Sequence, residues 1–405
     1  MELPIKQRLF YFFPTLFCFC LPFGSLVLSG LIVLWTIVSF INIEKEEFKN
    51  GFANKNFWWL LAFFIFTVAS AFFSNNKSEA GFSVEIKMCF LLFPYLFFCF
   101  KWPIQILKRC VVSFVSGCFF ACLVLIARAG YYAAMGHSEY FFYTQFSAFI
   151  HASYFAMYLL LAIALVVLLY PTWFKTQKNI TYAFYLFVLM FSVTIFLCSS
   201  KLGLISFFIS VPLLLLYKYR SYLNIKKVSY LIIGILVLGF FSFKLFPEAF
   251  NRLSSLTTIT ASTLDKTSSE STTVRILIWE QCLEIIKTNF LFGTGVGDAN
   301  DALYAAYAKN GLTGALDHNL NAHNQYFQTF IGLGVFGCLV LFVLTFGYLI
   351  KGILKKHFLL FLFSLLIVLN FAVESMLQAS AGVLFFVFFF CFFNLVSEEE
   401  LLREE

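Results

Sequence analysis

Apolar runs of about 20 residues recur almost from one end of this chain to the other, at 8–22, 24–42, 57–74, 82–100, 107–132, 147–170, 180–198, 202–217, 228–246, 324–349, 357–373 and 377–396. A helical run of that length matches a bilayer core of about 30 Å. Inside hydrocarbon only helices and closed barrels satisfy their own backbone groups. The pattern predicts an all-α fold, a polytopic transmembrane bundle of about 12 spans. Composition agrees. Of 405 residues 61% are hydrophobic, Phe alone supplies 59, and 12% are charged, against roughly 25% charged in a soluble domain. The first run has no convincing small-residue cleavage site and reads as a retained helix rather than a signal peptide.

In such a chain Lys and Arg mark the cytoplasmic connectors. One set of connectors carries Lys45, Lys49 and Lys55, then Lys101, Lys108 and Arg109, then Lys175 and Lys178, then Lys218, Arg220, Lys226 and Lys227, then Lys351, Lys355 and Lys356. With Lys6, Arg8 and Arg403 these make 18 of the 28 basic residues. The intervening short connectors hold only Lys77 and Lys201. This alternation fits both termini on the cytoplasmic side, and it explains the net charge of +7 without a nucleic-acid partner. The eleven cysteines are scattered through apolar runs, with no CxxC pair and no Cys/His metal spacing. They read as small hydrophobes rather than disulfide or zinc ligands.

The expected organisation is N-terminal spans over 1–246, a long outer loop over 247–323, and C-terminal spans with a cytoplasmic tail over 324–405. In a bacterium the outer side is the periplasm. The loop opens with the Ser/Thr-rich stretch "SSLTTITASTLDKTSSESTT" and continues with "VRILIWEQCLEIIKTNF". There Ile278, Cys282, Ile285 and Ile286 repeat at helical spacing, which predicts an amphipathic helix at the membrane surface. A second short helix is expected from Ala299 to Lys309, with Asp298 as its cap and Gly311 as its terminator.

Polar residues at the edges of this apolar chain are the candidates for chemistry. Arg275 and Trp279 stand one turn apart on the loop helix. A guanidinium there is either a phosphate fork or a snorkelling interfacial side chain. His323 stands at the mouth of the span 324–349, where an imidazole titrating near pH 6.5 in water is either a proton acceptor or one more polar residue at a helix start. Asn321 or Asn324 caps that helix equally well. "FGTGVGDAND", Phe292 to Asp301, fits neither the P-loop nor the dinucleotide fingerprint and reads as a turn between two loop helices. Lys201 and Glu374 both fall near the outer interface. They form either an anionic-ligand pocket, Lys201 giving charge and Glu374 orienting it, or interhelical ion pairs. No DxD occurs in the outer loop and no Walker A motif in the chain.

Two stretches, "TVRILIWEQCLEIIKTNFLFGTGVGDAND" and "AHNQYFQTFIGLGVFG", resemble the O-antigen ligase and O-antigen polymerase superfamily. They match its Arg-x-x-x-Trp helix, the glycine-rich turn after it, and its His-Asn start to the next span. "SSKLGLIS" is similar to an "SRxxLL" segment of that family, with Lys201 where Arg is usual. Lys supplies charge without a fork. "IHASYFAMYLLLAI" is similar to "HPSYFAxYL", with Ala152 in place of Pro, and gives His151 no catalytic role.

The resemblance implies a membrane-embedded glycosyltransferase without metal or cofactor. Its donor is a glycan on undecaprenyl pyrophosphate. Its acceptor is a sugar hydroxyl of lipid A–core for a ligase, or another lipid-linked glycan for a polymerase. In that reading Arg275 and Lys201 stabilise charge on the departing pyrophosphate. His323 orients and deprotonates the acceptor hydroxyl, and displacement inverts the anomeric carbon. Trp279, Asn324 and Glu374 complete the expected substrate contacts. The setting is the bacterial inner membrane, with the site on the periplasmic side. Transfer to a protein acceptor is a further variant. A transporter or flippase of lipid-linked glycans is the rival of another class, and it predicts polar residues deep in the bundle rather than gathered on one side.

Overall fold

The computed structural model describes residues 4–173, 178–222 and 272–403, with isolated positions 234, 243, 244, 266 and 267. The described chain is helical and contains no strand. Its helices are α1 (Ile5–Cys20), α2 (Ser25–Ser39), α3 (Lys45–Ala53), α4 (Lys55–Phe73), α5 (Lys77–Lys87), α6 (Cys89–Phe98), α7 (Ile104–Ala134), α8 (Tyr143–Phe146), α9 (Ala152–Trp173), α10 (Lys178–Leu197) and α11 (Lys201–Tyr219). After the undescribed stretch come α12 (Thr272–Thr288), α13 (Ala299–Asn310), α14 (Thr313–Asp317), α15 (Gln325–Phe342), α16 (Tyr348–Leu354), α17 (Phe358–Phe371), α18 (Ser380–Leu395) and α19 (Glu398–Leu402).

Six described helical segments are long and apolar enough to cross a membrane: 55–73, 77–98, 104–134, 152–170, 201–219 and 325–354. Four shorter apolar helices accompany them at 27–39, 184–197, 358–371 and 380–395. The all-α class is as expected. The span expected at 228–246 and the Ser/Thr stretch of the loop lie outside the described residues except at those isolated positions and at 272–273. Small polar caps start several of these helices. Asn76 accepts from the Glu79 amide, Ser200 from Gly203, and Asn324 from Tyr326 and Phe327, each satisfying amides that a first turn otherwise leaves bare.

The centre is built from α9 and α18. The apolar window of α9 is wholly buried, and α18 buries an unbroken run from Gly382 to Phe393. Phenylalanine fills the space around them. Phe385 stacks on Tyr158 at 4.2 Å, Phe388 on Phe17 at 5.0 Å, and Phe389 meets Phe114 edge-on at 4.8 Å. Such pairs contribute about 0.5–1.5 kcal/mol each beyond their buried area. Much of the Phe content is therefore interior packing rather than lipid contact. The eleven cysteines are free, ten of them buried.

The loop helices form a second, smaller core. Val274, Leu277, Ile278, Cys282 and Ile286 of α12 pack against Leu303 and Tyr307 of α13 and Ile331 of α15. The apolar face expected to rest on the membrane is thus covered by protein, because α13 and the start of α15 supply a closer apolar surface.

The glycine-rich turn joins this unit to the bundle. Gly334 breaks α15 at φ +66°, and a side chain there would collide with the Leu291 carbonyl. The amides of the turn are spent on protein: Thr294 on the Ile331 carbonyl at 2.7 Å, Val296 on Ser70 Oγ and Gly297 on Ser74 Oγ, both at 3.0 Å. Asp298 stands at the N-cap of α13, but its side chain makes no capping bond there. Its carboxylate accepts from the Asn75 and Asn76 amides at 2.8 and 2.7 Å and so fixes the turn between α4 and α5. Gly311 does terminate α13, in the left-handed conformation.

Candidate active site

Because one face of α12 is committed to the small core, its first turn presents Arg275 sideways, toward the connector between α17 and α18. The guanidinium donates through Nη1 to the Val373 carbonyl at 2.8 Å and through Nη2 to Glu374 Oε1 at 3.0 Å. The connector is held from the other side by the start of α15. Asn324 Nδ2 donates to the Ala372 carbonyl at 2.9 Å, and the Asn324 amide donates to Ser375 Oγ at 3.3 Å. Gln325, fully buried, accepts from the Leu377 amide at 2.6 Å.

His323 sits between these elements. Its backbone lies at φ +43° and its amide donates to Asn321 Oδ1 at 2.9 Å. Left-handed backbone on a non-glycine residue costs about 1–3 kcal/mol and persists only where surroundings enforce it. Two neighbours do so. Trp279 Nε1 donates to the Ala322 carbonyl, and the Ala322 amide donates to Gln328 Oε1, both at 3.0 Å. Gln328 is itself anchored by donating to Asn300 at 2.9 Å. The imidazole Nδ1 then faces Glu374 Oε2 at 3.5 Å, an ion-pair distance longer than a tight hydrogen bond. The carboxylate favours the tautomer protonated at Nδ1, which leaves the lone pair on Nε2.

Glu374 is thus flanked by a guanidinium and an imidazole. Burial pushes its carboxyl up, but His323, Arg275 and His151 outweigh burial and bring it down to about 2. It is a carboxylate throughout the physiological range. Arg275 spends only part of its five-donor fork on Glu374 and Val373. The remaining donors can take phosphate oxygens.

The structure brings Arg275, His323 and Glu374 together. The Trp279 N–H and the Asn324 side-chain N–H both donate to backbone carbonyls. Lys201 opens α11, whose Gly203 lies against Ala156 of α9. It stands at the end of the bundle where α9 begins, the end nearest His151. His151 carries no catalytic role in the sequence reading. Its ring lies 2.6 Å from Ser153 Oγ and packs on Tyr154, and its charge reaches Glu374. Gln325 and Gln328 were missed. Their signal is two glutamines in the first turns of an apolar span, too costly there unless each is fully bonded.

Among the described residues no group of three or more His, Cys, Asp or Glu side chains is placed to hold a metal ion.

A bundle of membrane-crossing helices with a guanidinium, a carboxylate and an imidazole joined at one end defines a multi-pass membrane protein with an ionisable site. A family model described as O-antigen ligase matches residues 185–343, so that segment is similar to the O-antigen ligase/polymerase superfamily. The segment includes Lys201, Arg275, Trp279, His323 and Asn324, and it stops short of Glu374. No curated protein matches the chain. The family carries a glycosyltransferase-like ligase or polymerase activity in general.

Proposed function

We propose that this protein transfers a glycan from undecaprenyl pyrophosphate to a sugar hydroxyl of lipid A–core, at the periplasmic face of the inner membrane. The observation that carries the proposal is the joint placement of Arg275, Glu374 and His323. The unspent donors of Arg275 hold the pyrophosphate and stabilise the charge it gains as the anomeric bond breaks. Lys201 adds positive charge from the neighbouring helix end. His323 Nε2 takes the proton of the acceptor hydroxyl as its oxygen attacks the opposite face of the anomeric carbon. The stereochemistry inverts, and the glycan leaves undecaprenyl pyrophosphate behind. Glu374 holds the imidazole oriented and balances the charge it acquires. The step needs no metal or cofactor, because the cation and the base are side chains.

The polymerase reading uses the same chemistry with a second lipid-linked glycan as acceptor, and a protein ligase uses a protein hydroxyl. The test is purified protein with one lipid-linked donor offered separately to lipid A–core, to a second lipid-linked glycan and to a protein acceptor. Product on lipid A–core alone is expected. Product only with the second glycan assigns a polymerase. Passage of labelled lipid across liposomes with no glycosidic bond formed removes the transferase altogether.

A further inference from the structure

At the end of the bundle opposite Arg275 lies a cavity of about 720 Å³ that the proposed transfer does not use. Helix α9 fixes the separation. It begins beside His151 and ends at Trp173, whose Nε1 donates to the Leu401 carbonyl of α19 at 2.8 Å. Twenty-two residues at 1.5 Å rise put about 33 Å between the two ends.

The cavity is walled by Trp102, Leu107 and Leu395 and bordered by Lys101, Lys108 and Arg403. The first turn of α7, a helix of 31 residues, opens into it at Pro103 and Ile104, so the positive end of a long dipole faces the same space. Not all of the charge is available. Lys101 Nζ is paired with Glu47 at 2.6 Å. Glu400, the one acidic lining residue, has Oε2 engaged by the Ser397 amide and hydroxyl at 2.8 Å. Lys108 donates to the Arg403 carbonyl at 2.9 Å and stands over the Trp173 ring at 5.6 Å, with no carboxylate paired to it among the described residues. Arg403 interacts electrostatically with Glu400 at the edge of the cavity, and the Trp102 ring lines one wall.

Two cations and a helix N-terminus over apolar walls, where α7 begins and α18 ends, fit one kind of ligand. We propose that this cavity binds the phosphodiester headgroup of an anionic phospholipid, with its acyl chains along Trp102, Leu107 and Leu395. Arg403 and Lys108 hold the phosphate. The bound lipid ties the tail helix α19 to α7. A free phosphate shares the charge but leaves the apolar walls bare.

The test is native mass spectrometry of the full chain in detergent, titrated with phosphatidylglycerol and with phosphatidylcholine. Two basic contacts near a membrane surface predict at least about a tenfold preference for phosphatidylglycerol. The double variant Lys108→Gln/Arg403→Gln is expected to lose that preference, while Lys108→Arg keeps it. Lys45→Gln/Lys49→Gln, on connectors outside the cavity, is the control and also keeps it. Thermal unfolding in phosphatidylcholine shows that each variant is folded. If that double variant does not fold, Leu107→Trp fills the cavity without touching charge and is expected to lose the preference too. Equal binding of both lipids by the wild-type chain, or an undiminished preference in the cavity variants, overturns the proposal. So does displacement of the lipid by millimolar inorganic phosphate, which assigns the site to a free anion.

Discussion

The molecule pairs a histidine with a glutamate at each end, and the two pairs are put to different use. At one end His323 Nδ1 lies 3.5 Å from Glu374; at the other His357 Nδ1 lies 3.7 Å from Glu398. In the second pair every valence is spent. Glu398 accepts from the Tyr217 hydroxyl at 2.8 Å and from the Leu359 amide at 3.0 Å. His357 Nε2 donates to the Val396 carbonyl at 3.1 Å, and Nδ1 accepts the Leu360 amide at 3.2 Å. That pair is a staple between α17 and the tail. At the Glu374 end Arg275 keeps donors in hand and the imidazole keeps Nε2. Accessibility follows the same division. His323 and Arg275 are 23% and 29% exposed, against 10% and 5% for His357 and Glu398. The residue types are alike; what differs is the bonding capacity left over and its access to a substrate.

The largest expected effect tests this division directly. His323→Ala should lower glycan transfer by about 10²–10⁴-fold, the usual worth of a general base, with the protein still inserted and folded. His357→Ala should do the reverse. It leaves the Val396 carbonyl and the Leu360 amide unsatisfied, at a cost of about 1–3 kcal/mol of stability, with transfer per folded molecule unchanged. Loss of transfer per folded molecule in His357→Ala would break the comparison.

Glu374→Gln comes next. It keeps the shape but removes the charge that orients the imidazole, so a fall of about 10²-fold or more in turnover is expected. The carboxyl is held near 2, below its unfolded range of about 4.3. Its contribution to stability is therefore complete above that range and drains as the pH falls toward 2. The gap in melting temperature between wild type and Glu374→Gln should stay level from pH 8 to 5 and close below 4. A gap that closes between pH 7 and 5 would show that Glu374 is not the group carrying it. Arg275→Lys should act mainly on the donor. Loss of the planar fork predicts a rise of about ten- to hundredfold in the donor KM; an unchanged donor KM would place the pyrophosphate elsewhere.

The helical class was legible because about 20 apolar residues in a row leave a chain few options. Arg275 and His323 stood out as polar residues at the edge of such runs, but the pattern alone left each with a structural alternative, and the family resemblance supplied their roles. Their meeting with Glu374 was not legible. It depends on the α12 face turning toward α13, on the Gly334 break and on the capping of Asn324 against Ala372, all contacts between residues distant in sequence. Glu374 stood beside Lys201 as an interfacial charge, and nothing local assigns its partner. Local spacing did find Gly311. It did not find that the Asp298 carboxylate serves the turn between α4 and α5, because the competing amides lie more than two hundred residues away.

The smallest effect separates a side chain that positions from one that binds. Trp279 stands one turn from Arg275, and the family resemblance implies that it contacts substrate. In the structure its N–H holds the Ala322 carbonyl, and its ring meets Phe327 edge-on at 6.1 Å. Trp279→Phe keeps the ring contact and removes one neutral hydrogen bond, worth about 0.5–1.5 kcal/mol. Turnover should fall by about two- to twelvefold as His323 loses part of its restraint, while the donor and acceptor KM hold. A rise in either KM with turnover intact would make Trp279 a substrate contact. The difference between the two ends would then rest on a larger exposed surface than Arg275 and His323 alone provide.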